Sequence, residues 1–214
     1  MNVVESVAPS GSVDFVVRRA REGYHKAPLS WKIRNYRNYF WMAWERIGLF
    51  FAHIFKLSVI TSELRIKVIK PWGEIIDYGK VSCRKFTQVG GGFIVDAFNN
   101  STEMENMKYH ALGTSTAAED NTHTALQTEI TNTHYSGSAR PAGSTEEGAS
   151  AWIYKTIGTH TQTTAGDTIA EHGILSQAAT GGGVLLDRHT FTGIALAVND
   201  QLVATYQLTF TPEA

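Results

Sequence analysis

The sequence of 214 residues predicts a mainly β protein: an antiparallel β-sandwich or barrel-like domain preceded by an N-terminal arm and an aromatic-rich helical segment. Two patterns carry this prediction. Apolar residues recur at spacings of three and four between residues 29 and 57, but alternate with polar residues beyond that point. Short alternating runs separated by turn residues favour antiparallel hairpins over a parallel sheet. We therefore divide the chain into a basic arm and aromatic helical anchor (1–57) and a β-sandwich domain (58–214).

The first 26 residues predict an extended arm with a basic cluster. Residues 1–15 lack the basic start and continuous apolar core of a secretory signal, and Pro, Ser and Gly at 9–12 favour extended chain. Arg18, Arg19 and Arg21 then lie close to Lys26. We expect the three arginines to dock onto an acidic protein surface. Phosphate contact is the less favoured alternative, and no specific nucleic-acid partner is expected.

The stretch from Leu29 to Leu57 predicts a helix or a broken helical pair. Ser30 can cap its start, and Gly48 is the only weak breaker that follows. Six large apolar residues follow the helical repeat: Tyr36, Phe40, Trp44, Ile47, Phe51 and Ile54. The C-terminal half of this segment is apolar on nearly every side, so either the rest of the fold or a partner subunit must cover it.

Contact of this helix with protein is favoured over contact with a membrane. Its longest run without a charged residue, 47–55, is far shorter than the roughly 20 residues that a bilayer requires. An interfacial helix is the better membrane alternative, because aromatic and basic residues occur together. Large aromatic side chains dominate interface energetics. The candidate partner-binding residues of the helix are therefore Trp41, Trp44, Phe50, Phe51 and Phe55.

Beyond residue 57 the alternation and the turn residues predict a series of strands. They are, in chain order, 64–70, 75–79, 81–89, 93–98, 107–112, 128–133, 151–160, 168–175, 184–191 and 201–210. The glycine runs 90–92 and 181–183 lack the Lys-Ser/Thr of a phosphate loop, so we expect them to supply positive φ or close backbone approach at turns and bulges. In the last strand, Leu202, Ala204, Tyr206, Leu208 and Phe210 share one face.

Composition and charge favour a structural role within an assembly. Charged residues make up only 18% of the chain, a weakly charged surface that tolerates burial against neighbouring subunits. Residues 1–96 contain 15 Lys and Arg against 8 Asp and Glu, whereas the remainder contains 4 against 12. The basic part suits an acidic partner. The single cysteine, Cys83, excludes an intramolecular disulfide and is expected to be a small buried apolar residue.

No catalytic, metal or cofactor site is predicted. The eight histidines show no helical zinc spacing, and the sequence contains no G-x-S-x-G nucleophile elbow. Glu171 and Arg188 are expected to form a structural ion pair. Trp152 is expected to be a core residue, although Trp152 and Tyr135 are the candidates for carbohydrate binding beside the loop 136–150. We therefore expect a non-enzymatic protein.

Six segments of the β part follow one another in a distinctive order and spacing: Phe93–Phe98, Lys108–Thr114, Thr128–Glu129, Glu171–Ile174, Gln177–Gly183 and Leu185–Arg188 with Phe191. Together they resemble a family of tailed-bacteriophage and prophage virion structural proteins, and the resemblance covers about residues 66–210. It implies a β-rich head or tail component located in the virion. On this basis we expect a capsid decoration (cement) protein that stabilises the shell by docking between subunits of the major capsid protein. The alternative is a tail, baseplate or fibre-attachment adaptor, and by analogy we expect a homo-oligomer, with a trimer as the working assumption.

Overall fold

The computed structural model describes residues 23–83, 86–130, 139–164 and 166–211. Arg18, Arg19, Arg21 and Tyr135 therefore lie outside the described residues. The helices are α1 (Leu29–Arg34), α2 (Tyr36–Ile54) and α3 (Gln88–Phe98), and a short 3₁₀ turn spans Met104–Asn106. The strands are β1 (Tyr24–Lys26), β2 (Val59–Ile69), β3 (Ile75–Ser82), β4 (Tyr109–Gly113), β5 (Glu146–Glu147), β6 (Ile153–Thr161), β7 (Thr168–Leu175), β8 (Leu185–Ala195) and β9 (Gln201–Thr211).

The described strands form two sheets, which confirms the β-sandwich-like fold class; the sheets do not close into a barrel. The large sheet has the order β1-β3-β2-β9-β6-β5, and the small sheet has the order β4-β7-β8. All neighbours pair antiparallel except β1, which runs parallel to β3. The hairpin of β2 and β3 and the long pairing of β2 with β9 form the centre of the large sheet.

The hydrophobic core lies between the two sheets. Leu64, Ile66 and Val68 of β2 and Leu202 of β9 pack with Ile194 of β8. The period-two pattern of β9 behaves as predicted, because its side chains at 202, 204, 206 and 208 are buried. The chain thus buries one face of each central strand, as a two-layer β protein must.

The region 81–98 differs from the prediction. β3 ends at Ser82, and residues 88–98 form helix α3 instead of two strand segments around a glycine stop. The Thr87 side chain caps this helix by accepting a hydrogen bond from the Gly90 backbone N–H at 3.0 Å. A Cβ on Gly90 would lie 2.6 Å from the Leu186 carbonyl oxygen, so the glycine lets α3 approach the backbone of β8.

Three smaller expectations can be compared with the structure. A strand was predicted at 128–133, of which residues 128–130 are described. These three residues belong to a loop that lies against β4 and makes one isolated bridge, between Glu129 and Gly113. Gly181 and Gly183 have φ of +78° and +84°, which confirms their predicted role in a turn. Cys83 is a buried free thiol, as expected.

Hydrogen bonds fasten the start of α2 to both sheets. Asn38 Nδ2 donates to the carbonyl oxygens of Val81 in β3 and Thr190 in β8, at 2.9 and 2.7 Å. Trp31 of α1 is buried in the main core, and its indole N–H donates to the Thr192 carbonyl at 2.9 Å. The helical segment is therefore fixed at its N-terminal end, with β2 beginning five residues after α2 ends.

Candidate docking surface

Helix α2 rests on the sandwich through a narrow face that buries one amide, one methionine and one alanine side chain. Asn38, Met42 and Ala52 are its buried residues. Glu45 lies 3.4 Å from Lys80 Nζ of β3 and continues this face. A helix in a globular protein usually turns its largest apolar side chains toward the core. Here the fully buried residues of the helix include no aromatic ring, although Tyr39 is partly buried beside Asn35.

Most of the aromatic side chains of this helical segment are exposed. The five candidate partner-binding residues are 39% to 67% exposed: Trp41, Trp44, Phe50, Phe51 and Phe55. Seven more large apolar residues of the segment are also exposed: Leu29, Ile33, Tyr36, Phe40, Ile47, Ile54 and Leu57. The described part of the fold therefore leaves these twelve side chains 39% to 73% exposed.

The exposed apolar surface continues from α2 onto one end of the large sheet. Phe55 and Leu57 lead from the helix to β2, where Ile60 is half exposed and pairs with Phe210 of β9. The Phe210 backbone N–H donates to the Trp152 carbonyl at 2.9 Å, so Trp152 is the next position across the sheet end. We call the outward face of α2 together with Leu57, Ile60, Trp152 and Phe210 the docking surface.

Trp152 is not a core residue, contrary to the sequence-based expectation. It is 56% exposed, because it lies in the turn before β6. With Phe210 it lines a shallow pocket of about 370 Å³. The remaining lining residues are Glu146, Glu147, Ala151, Ile153 and Tyr154. The pocket therefore combines an aromatic wall with two carboxylates.

The charge of α1 and α2 is basic. Lys32, Arg34, Arg37 and Arg46 belong to these helices, against the single acidic residue Glu45, which pairs with Lys80. None of the helices in the described part of the chain combines the length and apolar character needed to cross a membrane. The docking surface is thus an aromatic ridge flanked by positive charge, a chemistry that suits an apolar groove with an acidic rim.

A separate, polar cluster lies inside the sandwich, where four histidines are fully or almost fully buried. They are His110 of β4, His160 of β6, His172 of β7 and His189 of β8. His110 Nδ1 lies 3.0 Å from His172 Nε2, and His110 Nε2 lies 3.1 Å from Thr156 Oγ1. A Cβ on Gly158 would lie 2.4 Å from the His110 ring, so this glycine makes room for it. We call these four residues the histidine layer.

Burial keeps three members of the histidine layer neutral, namely His110, His160 and His172. Loss of hydration lowers the pKa of His110 to about 3. The pKa values of His160 and His172 are also lowered, mainly by burial and further by the neighbouring histidines. Among the described residues, no group of three or more His, Cys, Asp or Glu side chains is arranged to hold a metal ion. The rings of His110 and His172 thus bond to each other and to the Thr156 hydroxyl group, and His189 Nε2 lies 3.3 Å from Asp187 Oδ2.

The predicted ion pair of Glu171 and Arg188 is present and fully buried. Arg188 Nε donates to Glu171 Oε1 at 2.5 Å, and the Arg188 Nη atoms donate to the carbonyls of Ala117 and Ala118 at 3.2 and 3.1 Å. The backbone N–H of Gln127 donates to the same carboxylate at 2.7 Å. The ion pair thus holds both sides of the loop around residue 120 against the outer face of the small sheet.

Sequence reasoning missed the histidine layer and the pocket beside Trp152. The histidines lie on four different strands, so only the register of the sheets brings them together. In each strand, the histidine belongs to the alternating set of residues that faces inward. This alternation is the one sequence signal that could have indicated a cluster. No family model, no characterised protein and no solved structure matches this chain.

Proposed function

We propose that this chain is a structural component of a bacteriophage virion, a capsid decoration protein that attaches through the docking surface to the junction between capsid subunits. The outward orientation of the α2 aromatic residues is the observation that carries the proposal. The resemblance of the β part to phage virion proteins supplies the assembly, and the low charge of the chain agrees with burial among neighbours. We propose no enzymatic activity.

The size of the docking surface suits a stable interface. Twelve large apolar side chains between residues 29 and 57 are exposed. If half of each is available, they present roughly 1,200 Å², since a large aromatic side chain buries about 150–250 Å². A standard protein interface buries about 800 Å² on each partner. Covering 800 Å² corresponds to about 20 kcal/mol of gross hydrophobic stabilisation, before the costs of association are subtracted.

Binding of the purified chain to phage particles that lack it tests this proposal. Cryo-electron microscopy of the saturated particles should show regularly spaced density on the capsid, with α2 at subunit junctions. The double variant Trp44→Ser/Phe51→Ser should lose binding, whereas Phe98→Ser should not, because Phe98 is an exposed aromatic on α3, outside the docking surface. Substitution is preferred to removal of the segment, because Trp31 belongs to the main core.

Two results would contradict the proposal. Density confined to the tail or its vertex would exclude capsid decoration and favour a tail or baseplate adaptor. Equal occupancy of the particle by the native chain and by the Trp44/Phe51 variant would show that α2 is not the attachment element. Decorated particles should also retain their genome at higher temperature than undecorated ones, because each bound copy opposes the separation of the subunits that it joins.

The exposed Trp152 favours one alternative function, an adaptor that binds carbohydrate on the host surface. An indole face can stack on the apolar face of a pyranose ring, and carboxylates such as Glu146 and Glu147 can accept hydrogen bonds from its hydroxyl groups. A glycan array probed with the full chain tests this. Trp152→Ala should abolish any signal, while Trp72→Ala, an exposed tryptophan in the turn between β2 and β3, should not. An array without specific signal would exclude this alternative.

A further inference from the structure

Five outward side chains of α2 repeat with the alternating spacing of four and three that is typical of coiled coils. They are Phe40, Trp44, Ile47, Phe51 and Ile54, and they are 46% to 60% exposed. The seam that they form extends about 21 Å along the helix. A seam with this spacing fits another α-helix, whose side chains enter the spaces between successive residues of the seam. The shape of the surface therefore points to a helical partner.

The free chain needs a partner for this seam before it reaches any particle. Soluble monomers rarely expose continuous apolar patches larger than a few hundred Å². The seam, with Tyr36, Phe50 and Phe55 beside it, presents roughly 800 Å² when half of each side chain is counted. Two such surfaces facing each other give a total close to the standard size of a specific interface, about 1,600 Å². A second copy of the chain therefore has the area that a stable dimer needs.

We infer that two copies of this chain pair in solution, seam against seam, with their α2 helices antiparallel. The pairing rests on the proposed function only in taking the docking surface as a binding surface. It deepens that function by naming what covers the surface until the capsid does. The interface is isologous: Phe40 of one copy meets Phe51 of the other, and Trp44 meets Ile47.

Charge favours the antiparallel orientation over the parallel one. Arg37 is exposed and lies three residues before Phe40, at the next position of the seam toward the N-terminus. Parallel helices would place the two copies of Arg37 side by side, where like charges repel. Antiparallel helices place each Arg37 at the C-terminal end of the other helix. There it meets the negative end of the helix dipole and the ring of Phe55, both of which attract a cation.

The mass of the full-length chain tests the dimer. Sedimentation equilibrium at micromolar concentration should give twice the chain mass of 23.6 kDa. The double variant Trp44→Glu/Phe51→Glu should sediment as a monomer, because each copy would place two charges in an apolar interface. Phe98→Glu is the matched control and should remain a dimer, since Phe98 is 83% exposed and lies on α3. A monomeric native chain, or equal effects of the two changes, would overturn the inference.

Cysteine cross-linking tests the orientation without relying on a destabilised variant. A mixture of Phe40→Cys and Phe51→Cys chains should give a disulfide-linked heterodimer on mild oxidation. Phe40→Cys alone should give little, and the native Cys83 does not interfere because it is buried. Efficient linkage of Phe40→Cys to itself would overturn the antiparallel arrangement.

The dimer and the docking function can fail separately. A native chain that is monomeric and still decorates particles through α2 would refute the dimer and leave the docking function intact. A chain that forms the dimer but binds no particle would refute the docking function and leave the dimer intact. If both hold, addition of particles should dissociate the dimer, because the capsid and the second copy compete for one surface.

Discussion

Acid should destabilise this protein well before its carboxylates are protonated, because three buried histidines of the histidine layer are neutral. The perturbation is a decrease of pH from 7 to about 5 in the native chain. His110, His160 and His172 have folded-state pKa values below the ordinary value of 6.5. Below pH 6.5 the unfolded chain therefore takes up protons that the folded chain does not. The stabilisation that they provide is present above pH 6.5 and is lost as the pH falls toward the folded-state values.

The loss of stability depends on how many histidines take up a proton on unfolding and on how far folding lowers the pKa of each. For His110 alone, the decrease in pKa from 6.5 to about 3 corresponds to a loss of folding stability on the order of 5 kcal/mol between those two pH values. With all three histidines contributing, the free energy of unfolding should fall by about 4 kcal/mol for each pH unit below 6. Domains have about 5–15 kcal/mol of stability in total. The chain should therefore unfold within two or three pH units below neutrality.

Urea unfolding at a series of pH values between 5 and 8 measures this slope. The variant His110→Asn should reduce the slope below pH 6 by about one proton, whatever it does to stability at pH 8. Ile174→Val, a buried substitution in β7 that adds no titrating group, should lower stability equally at every pH. A free energy of unfolding that does not change between pH 5 and 7 would refute the reasoning that His110, His160 and His172 are neutral and closed to water.

Three further predictions concern single side chains, each checked by urea unfolding and circular dichroism. Glu171→Gln should cost about 3–5 kcal/mol, because it leaves the buried Arg188 charge without its counter-charge; a cost below 1 kcal/mol would contradict the buried ion pair. Gly90→Ala should destabilise the fold through the clash of its methyl group with β8, while Gly92→Ala in the same helix should be neutral or stabilising, since that position is open; equal effects would contradict the packing of α3. Trp44→Ser should leave stability nearly unchanged, and a large loss would mean that its ring supports the fold.

The parts of the fold that were predictable depend on local pattern. In β9 the alternation of Leu202, Ala204 and Tyr206 with outward residues is visible in the sequence, because a strand with one buried face needs period two. The ion pair of Glu171 with Arg188 was also predictable, since two opposite charges in an apolar neighbourhood need each other. Both inferences require only a few neighbouring residues or one pairing of charges.

The parts that were not predictable depend on tertiary contact. Helix α3 contains three consecutive glycines, which disfavour helix by propensity, yet Gly90 is needed there because the helix touches the β8 backbone. Trp152 was expected in the core as a residue of its strand, but β6 begins at Ile153 and Trp152 lies in the exposed turn before it. The meeting of His110 with His172 requires the register of β4 against β7, which no single segment specifies.

The distribution of apolar and polar groups separates what folds this protein from what it binds. Histidines and an ion pair occupy buried positions, whereas the aromatic rings of α2 occupy exposed ones. Burying polar groups is costly unless they are bonded, and exposing aromatic rings forgoes stabilisation that burial would supply. Because α2 is attached mainly through Asn38, Met42 and Ala52, its exposed rings contribute little to the fold. If Trp44→Ser preserves stability and abolishes association, the energy of those rings is directed at a partner, which is the physical content of both proposals.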